Sequence, residues 1–189
     1  DFSHGTKKHK EPLKVKWNFK ITFLHEDGYK HNIGVQRFIS HYGWGKEVAK
    51  YLSERKKPDV IYCAIPSLTA ARQAAKYCEK KNIRYIIDVQ DLWPEAFKLC
   101  FHVPVISNIL FAPVNAYING AYKRADEICA VSKTYADRAK RVNHKCKRVY
   151  VVFLGTRLTT FDEYAQKNLV EKPKDELWLG YCGTLGASY

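Results

Sequence analysis

Ile83-Arg84-Tyr85-Ile86-Ile87 runs directly into Asp88-Val89-Gln90-Asp91-Leu92-Trp93-Pro94-Glu95. The first five residues are short and almost wholly apolar, and read as a buried strand. The next eight place three carboxylates, an indole and a proline where that strand should emerge. In parallel α/β sheets, ligands bind in the crevice beyond the carboxyl ends of the strands. Folding alone rarely demands so much acid at one strand end, so the run is expected to form part of a site.

The flanking sequence repeats one unit. Upstream, Pro58-Asp59 opens the apolar run 60–65. Ser67 stands as an N-cap, Leu68, Ala71, Ala74, Ala75 and Cys78 mark one helix face, and Asn82 ends the helix. Downstream, Ser107 is expected to cap a helix reaching Lys123, followed by a strand at 127–131. Ser132 then caps a helix at 133–141, and 148–153 forms the next strand. Earlier in the chain, 20–25 reads as a strand stopped by the turn pair Asp27-Gly28. Phe38, Ile39, Tyr42, Val48, Ala49 and Leu52 follow at helical spacing, interrupted by Gly43 and Gly45. Strands that are apolar throughout and joined by helices indicate a parallel sheet covered on both faces. The expected fold is therefore α/β, a doubly wound, Rossmann-like parallel sheet. Residues 154–176 read as a polar connector with Pro173 near its end, and 177–182 as a fresh apolar strand.

The 189 residues suffice for one well-buried domain, or for one domain with a piece of another. The division is placed at 170: residues 1–170 as the first domain, and 171–189 as a linker with the first strand of a second. No uninterrupted apolar stretch is long enough to span a bilayer. The chain starts at Asp1 and contains no Met, as a fragment would. Cys63, Cys78, Cys100, Cys129, Cys146 and Cys182 are scattered, without C-x-x-C spacing, and read as reduced structural thiols of a cytosolic protein. With His4 and His9 they offer no convergent four-ligand zinc set, so no metal is expected.

A formal charge of +13 implies an anionic partner: nucleic acid, an acidic membrane surface or a phosphorylated substrate. Much of the excess lies early, in Lys7, Lys8, Lys10, Lys14, Lys16 and Lys20, with Trp17 and Phe19 interleaved. This run reads as a solvated face or flexible arm, as a segment drawn to anionic lipid, or as a nucleic-acid contact. Residues 101–122 are apolar and aromatic but broken by Pro104, Asn108, Pro113, Asn115 and Asn119. They read as a helix packed on the sheet, or as an interfacial helix.

Neither a Walker A motif nor G-x-G-x-x-G is present, so ATP hydrolysis and ordinary dinucleotide binding find no support. Gly183-Thr184-Leu185-Gly186 is a glycine turn after a predicted strand, a place where backbone N–H groups can approach a phosphate. It also reads as a plain βα turn. Asp88, Asp91 and Glu95 suit acid–base or hydroxyl-orienting roles if a hydroxyl comes within hydrogen-bond reach. If a helix follows Asp91, then Asp91 and Glu95 share a face at i, i+4 spacing, with Pro94 in the first turn. Asp91 would equally serve as the cap of that helix. Trp93 reads as core, or as a platform for a sugar ring or a lipid.

The segment from Ile86 to Glu95 resembles the D-x-x-D-x-W-P-E signature found in the bacterial polysaccharide and lipopolysaccharide branch of the retaining GT-B glycosyltransferases. Asn32-Ile33-Gly34-Val35-Gln36-Arg37, Pro58-Asp59-Val60-Ile61, Ala130-Val131-Ser132 and Leu154-Gly155-Thr156 add to the likeness. Gly183-Thr184-Leu185-Gly186 resembles the turn that opens the second domain of such enzymes. The resemblance implies two Rossmann-like domains facing across a cleft, the first holding the acceptor and the second a nucleotide diphosphate sugar. It implies sugar transfer with retained configuration, without a cofactor or metal, to a saccharide or polyprenyl-pyrophosphate-linked acceptor at the cytoplasmic membrane face. Under it Asp91 is the candidate catalytic residue, orienting the acceptor hydroxyl or supporting developing positive charge at the sugar. Arg37, Asp88, Trp93 and Glu95 are candidate acceptor-binding residues, and Gly183, Thr184 and Gly186 candidate donor-binding residues. Most of the donor domain would lie beyond Tyr189, so these residues alone are not expected to turn over.

Two other classes remain open. A nucleotide-sugar epimerase on the same scaffold would convert sugar nucleotides with no acceptor present. A basic, non-enzymatic α/β module would bind nucleic acid through phosphates with steep salt dependence. The acidic strand end argues against the latter, and no nucleic-acid partner is expected.

Overall fold

A computed structural model describes residues 18–29, 34–65, 67–93, 95 and 104–183. The chain forms two compact units, residues 1–152 and 153–189, whereas the sequence reading places the division at 170. The first unit contains four parallel strands, β1 (Val60–Ile65), β2 (Arg84–Val89), β3 (Glu127–Ala130) and β4 (Arg148–Val151), in the order β1-β2-β3-β4. Its helices are α1 (Val35–Ser53), α2 (Leu68–Lys81), α3 (Pro104–Tyr122) and α4 (Lys133–Lys140). Register pairs Ile87 with Cys63 on one side and Ile128 on the other.

Local chemistry accounts for these boundaries. Ser67 Oγ accepts from Ala70 N–H, and Ser132 Oγ from Tyr135 N–H, each at 3.4 Å, so both helices start where a hydroxyl satisfies an orphan donor. Asn82 stops α2 in the left-handed region at φ 52°. Gly28 also takes a positive φ, 76°, at the Asp27-Gly28 turn. Pro104 opens α3, where a missing N–H costs nothing. Pro113 lies inside the helix and deprives it of one i→i−4 bond.

Every connection moves one strand in the same direction. Right-handed crossovers therefore put α2, α3 and α4 on a single face of the sheet. Burial agrees. Tyr85, Ile87, Val89, Ile128 and Ala130 are fully buried against Ala71, Ala74, Ala75, Ile118, Tyr122, Ala136 and Ala139. Small alanines let α2 approach closely, and the Tyr85 hydroxyl donates to the Ala71 carbonyl at 3.1 Å. Each large apolar side chain so buried contributes roughly 1.5–3 kcal/mol. On the other face the alternate β1 positions Val60, Tyr62 and Ala64 are exposed, while Asp88 and Glu127 at its centre are buried among polar partners. Among the described residues helices thus cover only one face of the sheet, which corrects the expectation of two. Covering the second face requires a connection running in the opposite direction, and this unit has none among its described residues.

Two further expectations fail. Residues 20–25 join no ladder; they run back along α1, held by Tyr51 Oη to Thr22 Oγ1 at 3.1 Å, Gly28 N–H to Ser40 Oγ at 3.1 Å and Ser40 Oγ to Glu26 Oε1 at 2.9 Å. In the second unit, the polar connector contains α5 (Leu158–Lys167). Residues 177–182 form no strand, and Leu177 and Leu179 are 99% and 100% exposed. No described helix is long and apolar enough to cross a membrane.

Candidate functional site

Among the described residues a cavity lies between α1, the start of α2 and α3, beside the segment that leaves β2. It holds about 290 Å³ and is walled by Arg37, Phe38, His41 and Tyr42 of α1, Leu68 and Thr69 at the start of α2, Trp93 after β2, and Pro113, Val114 and Tyr117 of α3. This is a mostly apolar recess carrying a guanidinium, an imidazole and two phenols, near the lower end of the size range of small-ligand sites. At the opposite end of the strands a polar recess of about 490 Å³ is bounded by Arg84, Asp126, Glu127, Lys145, Lys147 and Arg148. There Arg84 pairs with Glu127 and Lys145 with Asp126, so much of its charge is already matched.

Arg37 and His41 are one helical turn apart, so both reach the cavity. The Arg37 guanidinium lies 4.5 Å from the centre of the Trp93 ring and 5.3 Å from that of Tyr29, a cation between two aromatic faces. The His41 ring sits 5.9 Å from the Tyr29 ring, and its Nε2 is 4.0 Å from Glu26 Oε1. Burial lowers the His41 pKa below its ordinary 6.5; Glu26 opposes the shift and Arg37 adds to it.

The predicted residues separate into two groups. Arg37 and Trp93 line the cavity, and Asp91 stands beside them: partial burial raises its pKa above 3.8, while the Arg37 charge and a hydrogen bond with Trp93 pull it down. Trp93 is only 9% exposed and belongs to the core, with Arg37 over its ring, so little of that ring is offered as a sugar platform. Asp88 and Glu95 do not line the cavity. Asp88 alternates with Ile87 and Val89 and so faces the bare side of the sheet, where Gln90 Nε2 donates to its Oδ2 at 2.7 Å and Tyr62 approaches from β1. Glu95 accepts from Nε of Arg138, a residue 7% exposed, which also donates to Asn115 Oδ1 at 3.0 Å. Acid at a strand end is therefore divided between one carboxylate at the cavity and two engaged in internal polar contacts. Gly183 lies in the second unit, where a Cβ would meet Tyr181 Oη at 2.6 Å; Thr184 and Gly186 lie outside the described residues.

The sequence reading missed His41, Thr69 and Tyr117 as wall residues. An Arg and a His at i, i+4 on a helix already carrying Phe38 and Tyr42 was the signal available. Among the described residues, no three His, Cys, Asp or Glu side chains are grouped to hold a metal. Burial pushes the Cys78 thiol up to about 12 and raises Cys63, so neither is a thiolate nucleophile at neutral pH.

The raised Asp91 pKa has a sign that can be checked. A carboxyl whose folded pKa exceeds its unfolded one contributes stability below the unfolded value, and that contribution is lost as pH rises through the folded value. Asp91→Asn should therefore stabilise the protein at neutral pH. The gain stays under about 1 kcal/mol, because the residue is exposed and screened. Urea titrations should show the difference closing as pH falls through the raised folded value toward 3.8.

Scanned against protein-family models the chain matches none, and no curated protein matches it.

Proposed function

We propose that this chain is the acceptor-side domain of a retaining glycosyltransferase that uses a nucleotide diphosphate sugar and acts on a saccharide or lipid-linked acceptor in cell-surface polysaccharide synthesis. One observation carries the reading: Arg37 of α1 meets Asp91 and Trp93 of the segment after β2 beside a cavity at the carboxyl end of that strand. Parallel sheets bind ligands beyond the carboxyl ends of their strands, and beside this cavity stands the carboxylate that the D-x-x-D-x-W-P-E resemblance singles out.

In this reading Asp91 orients the acceptor hydroxyl or faces the positive charge that develops at the sugar carbon. Its raised pKa, set by burial and opposed by the Arg37 charge, suits it to accept a hydrogen bond or proton from a hydroxyl. The Arg37 guanidinium, flanked by Trp93 and Tyr29, meets an anionic group of the acceptor. Phe38, Tyr42, Pro113, Val114 and Tyr117 supply the apolar wall that an acceptor with a lipid tail would use. Peripheral attachment to the inner face of an anionic membrane is consistent with the charge of +13 and with the exposed Ile109 and Leu110 on α3.

The test is donor-dependent transfer by a protein carrying both domains that the resemblance implies. Asp91→Ala should lower turnover by about 10²-fold or more, with the fold retained by circular dichroism. Undiminished transfer would remove Asp91 from the mechanism.

A further inference from the structure

We propose that His41 is the second cationic member, after Arg37, of an oxyanion subsite in the α1–α3 cavity, and that it takes up a proton when the anionic end of an apolar-tailed ligand enters. The inference rests on the reading of this cavity as the acceptor site.

Four observations converge on it. The cavity is lined by apolar and aromatic side chains over most of its wall, and its polar side is formed by Arg37 and His41 on one helical face. A tail and a charged head are both accommodated by such a lining, with the head placed toward α1. His41 is partly buried, with its side chain 18% exposed, and it is backed by Glu26, 36% exposed, at 4.0 Å. A carboxylate behind an imidazole stabilises the imidazolium when a second anion arrives. Finally, the helix is locked in place at this point, because the Thr69 hydroxyl donates to the His41 carbonyl and Gly45 brings α1 against Thr69.

The charges facing His41 determine the direction. From the segment before α1 come Glu26 and the Tyr29 ring; from α1 itself come Arg37 and Tyr42. From α3 comes Tyr117, with Arg72 of α2 behind it, while α2 presents only Leu68 and Thr69 to the cavity. Asp91 acts on the group through Arg37. In the free protein, burial and Arg37 outweigh Glu26 and hold His41 neutral near neutral pH. An oxyanion in the cavity cancels the Arg37 repulsion and adds attraction of its own, so the proton returns. Free-protein stability and ligand affinity therefore run oppositely with pH. Acid weakens the empty fold, because a histidine whose folded pKa is depressed must charge, whereas acid strengthens oxyanion binding.

Octyl sulfate is the probe, since its charge does not change across the range used. Inorganic sulfate supplies the head without the tail, and octyl glucoside the tail without the charge. Calorimetry between about pH 7.5 and about pH 5.5, in buffers of different ionisation heat, counts the protons bound; uptake of one proton tightens binding by up to about tenfold per pH unit. Octyl sulfate is expected to gain about tenfold affinity over this range with net proton uptake. Octyl glucoside should bind with no pH dependence, and inorganic sulfate at least about tenfold more weakly than octyl sulfate. His41→Gln should flatten the octyl sulfate profile, and the partly exposed Glu26→Gln should displace its rise to lower pH without altering the fold. An unchanged slope in His41→Gln, binding without proton uptake, or inorganic sulfate binding as tightly as octyl sulfate would each overturn the proposal. Because these readouts need no sugar donor, a failed transfer assay with an intact octyl sulfate profile would sink the transferase reading alone.

Discussion

Arg138→Ala should cost about 3–4 kcal/mol of folding stability. The Arg138 side chain is 9% exposed, pairs with Glu95, donates to Asn115 Oδ1 at 3.0 Å and lies 5.3 Å from the Tyr122 ring centre. Its removal strands the Glu95 carboxylate, which is 31% exposed, and leaves a void between α3 and α4. At this chain length the melting temperature should fall by about 10 °C. Glu95→Gln should cost less, about 1–2 kcal/mol, because an amide oxygen still accepts from the guanidinium. The comparison reads directly in urea denaturation. A loss below about 1 kcal/mol for Arg138→Ala would show a solvated pair, with Glu95 released to act at the site after all.

The second large effect belongs to α1, where two glycines two residues apart should respond with opposite sign. A Cβ on Gly45 would lie 2.8 Å from Thr69 Cβ and 3.1 Å from the Thr69 carbonyl carbon, so Gly45→Ala must push α1 away from α2. Overpacking of this kind costs about 1–3 kcal/mol. A Cβ on Gly43 would meet nothing closer than Asp27 Oδ2 at 3.7 Å, an ordinary contact. Gly43→Ala should therefore stabilise by about 0.5–1 kcal/mol through helix propensity alone. Thr69 and His41 are walls of the cavity, so Gly45→Ala should also weaken octyl sulfate binding while Gly43→Ala leaves it unchanged. Equal effects from the two substitutions would refute the close-contact account.

These two cases show where reading from sequence succeeds and where it stops. Strands β1 to β4 and helices α2 and α4 were legible because apolar runs, Ser67, Ser132 and Asn82 all signal locally. Gly43 and Gly45 look alike in sequence; only the neighbouring helix distinguishes a removable glycine from a required one. The Glu95–Arg138 pair spans 43 positions, and nothing near Glu95 announces its partner. Asn143 is similar: it is 1% exposed and ties the α3 exit, through the Tyr122 and Ala125 carbonyls, to the turn before β4. Asp88 was assigned to the site because it ends a strand, but strand alternation turns it to the other face from the cavity. The bare face was illegible for a related reason: apolar strands such as β1 read the same whether one face or both are covered. Residues 177–182 are apolar enough to read as a strand, but apolarity supplies no partner for backbone hydrogen bonds.

The one-sided sheet has a practical corollary for this polypeptide in solution. Tyr62, Tyr150 and Val60 present side chains to water on the face that no described helix covers. Salts excluded from protein surfaces strengthen apolar association before they alter internal packing. Ammonium sulfate should therefore cloud the sample at concentrations where circular dichroism is still native, and turbidity should reverse on dilution.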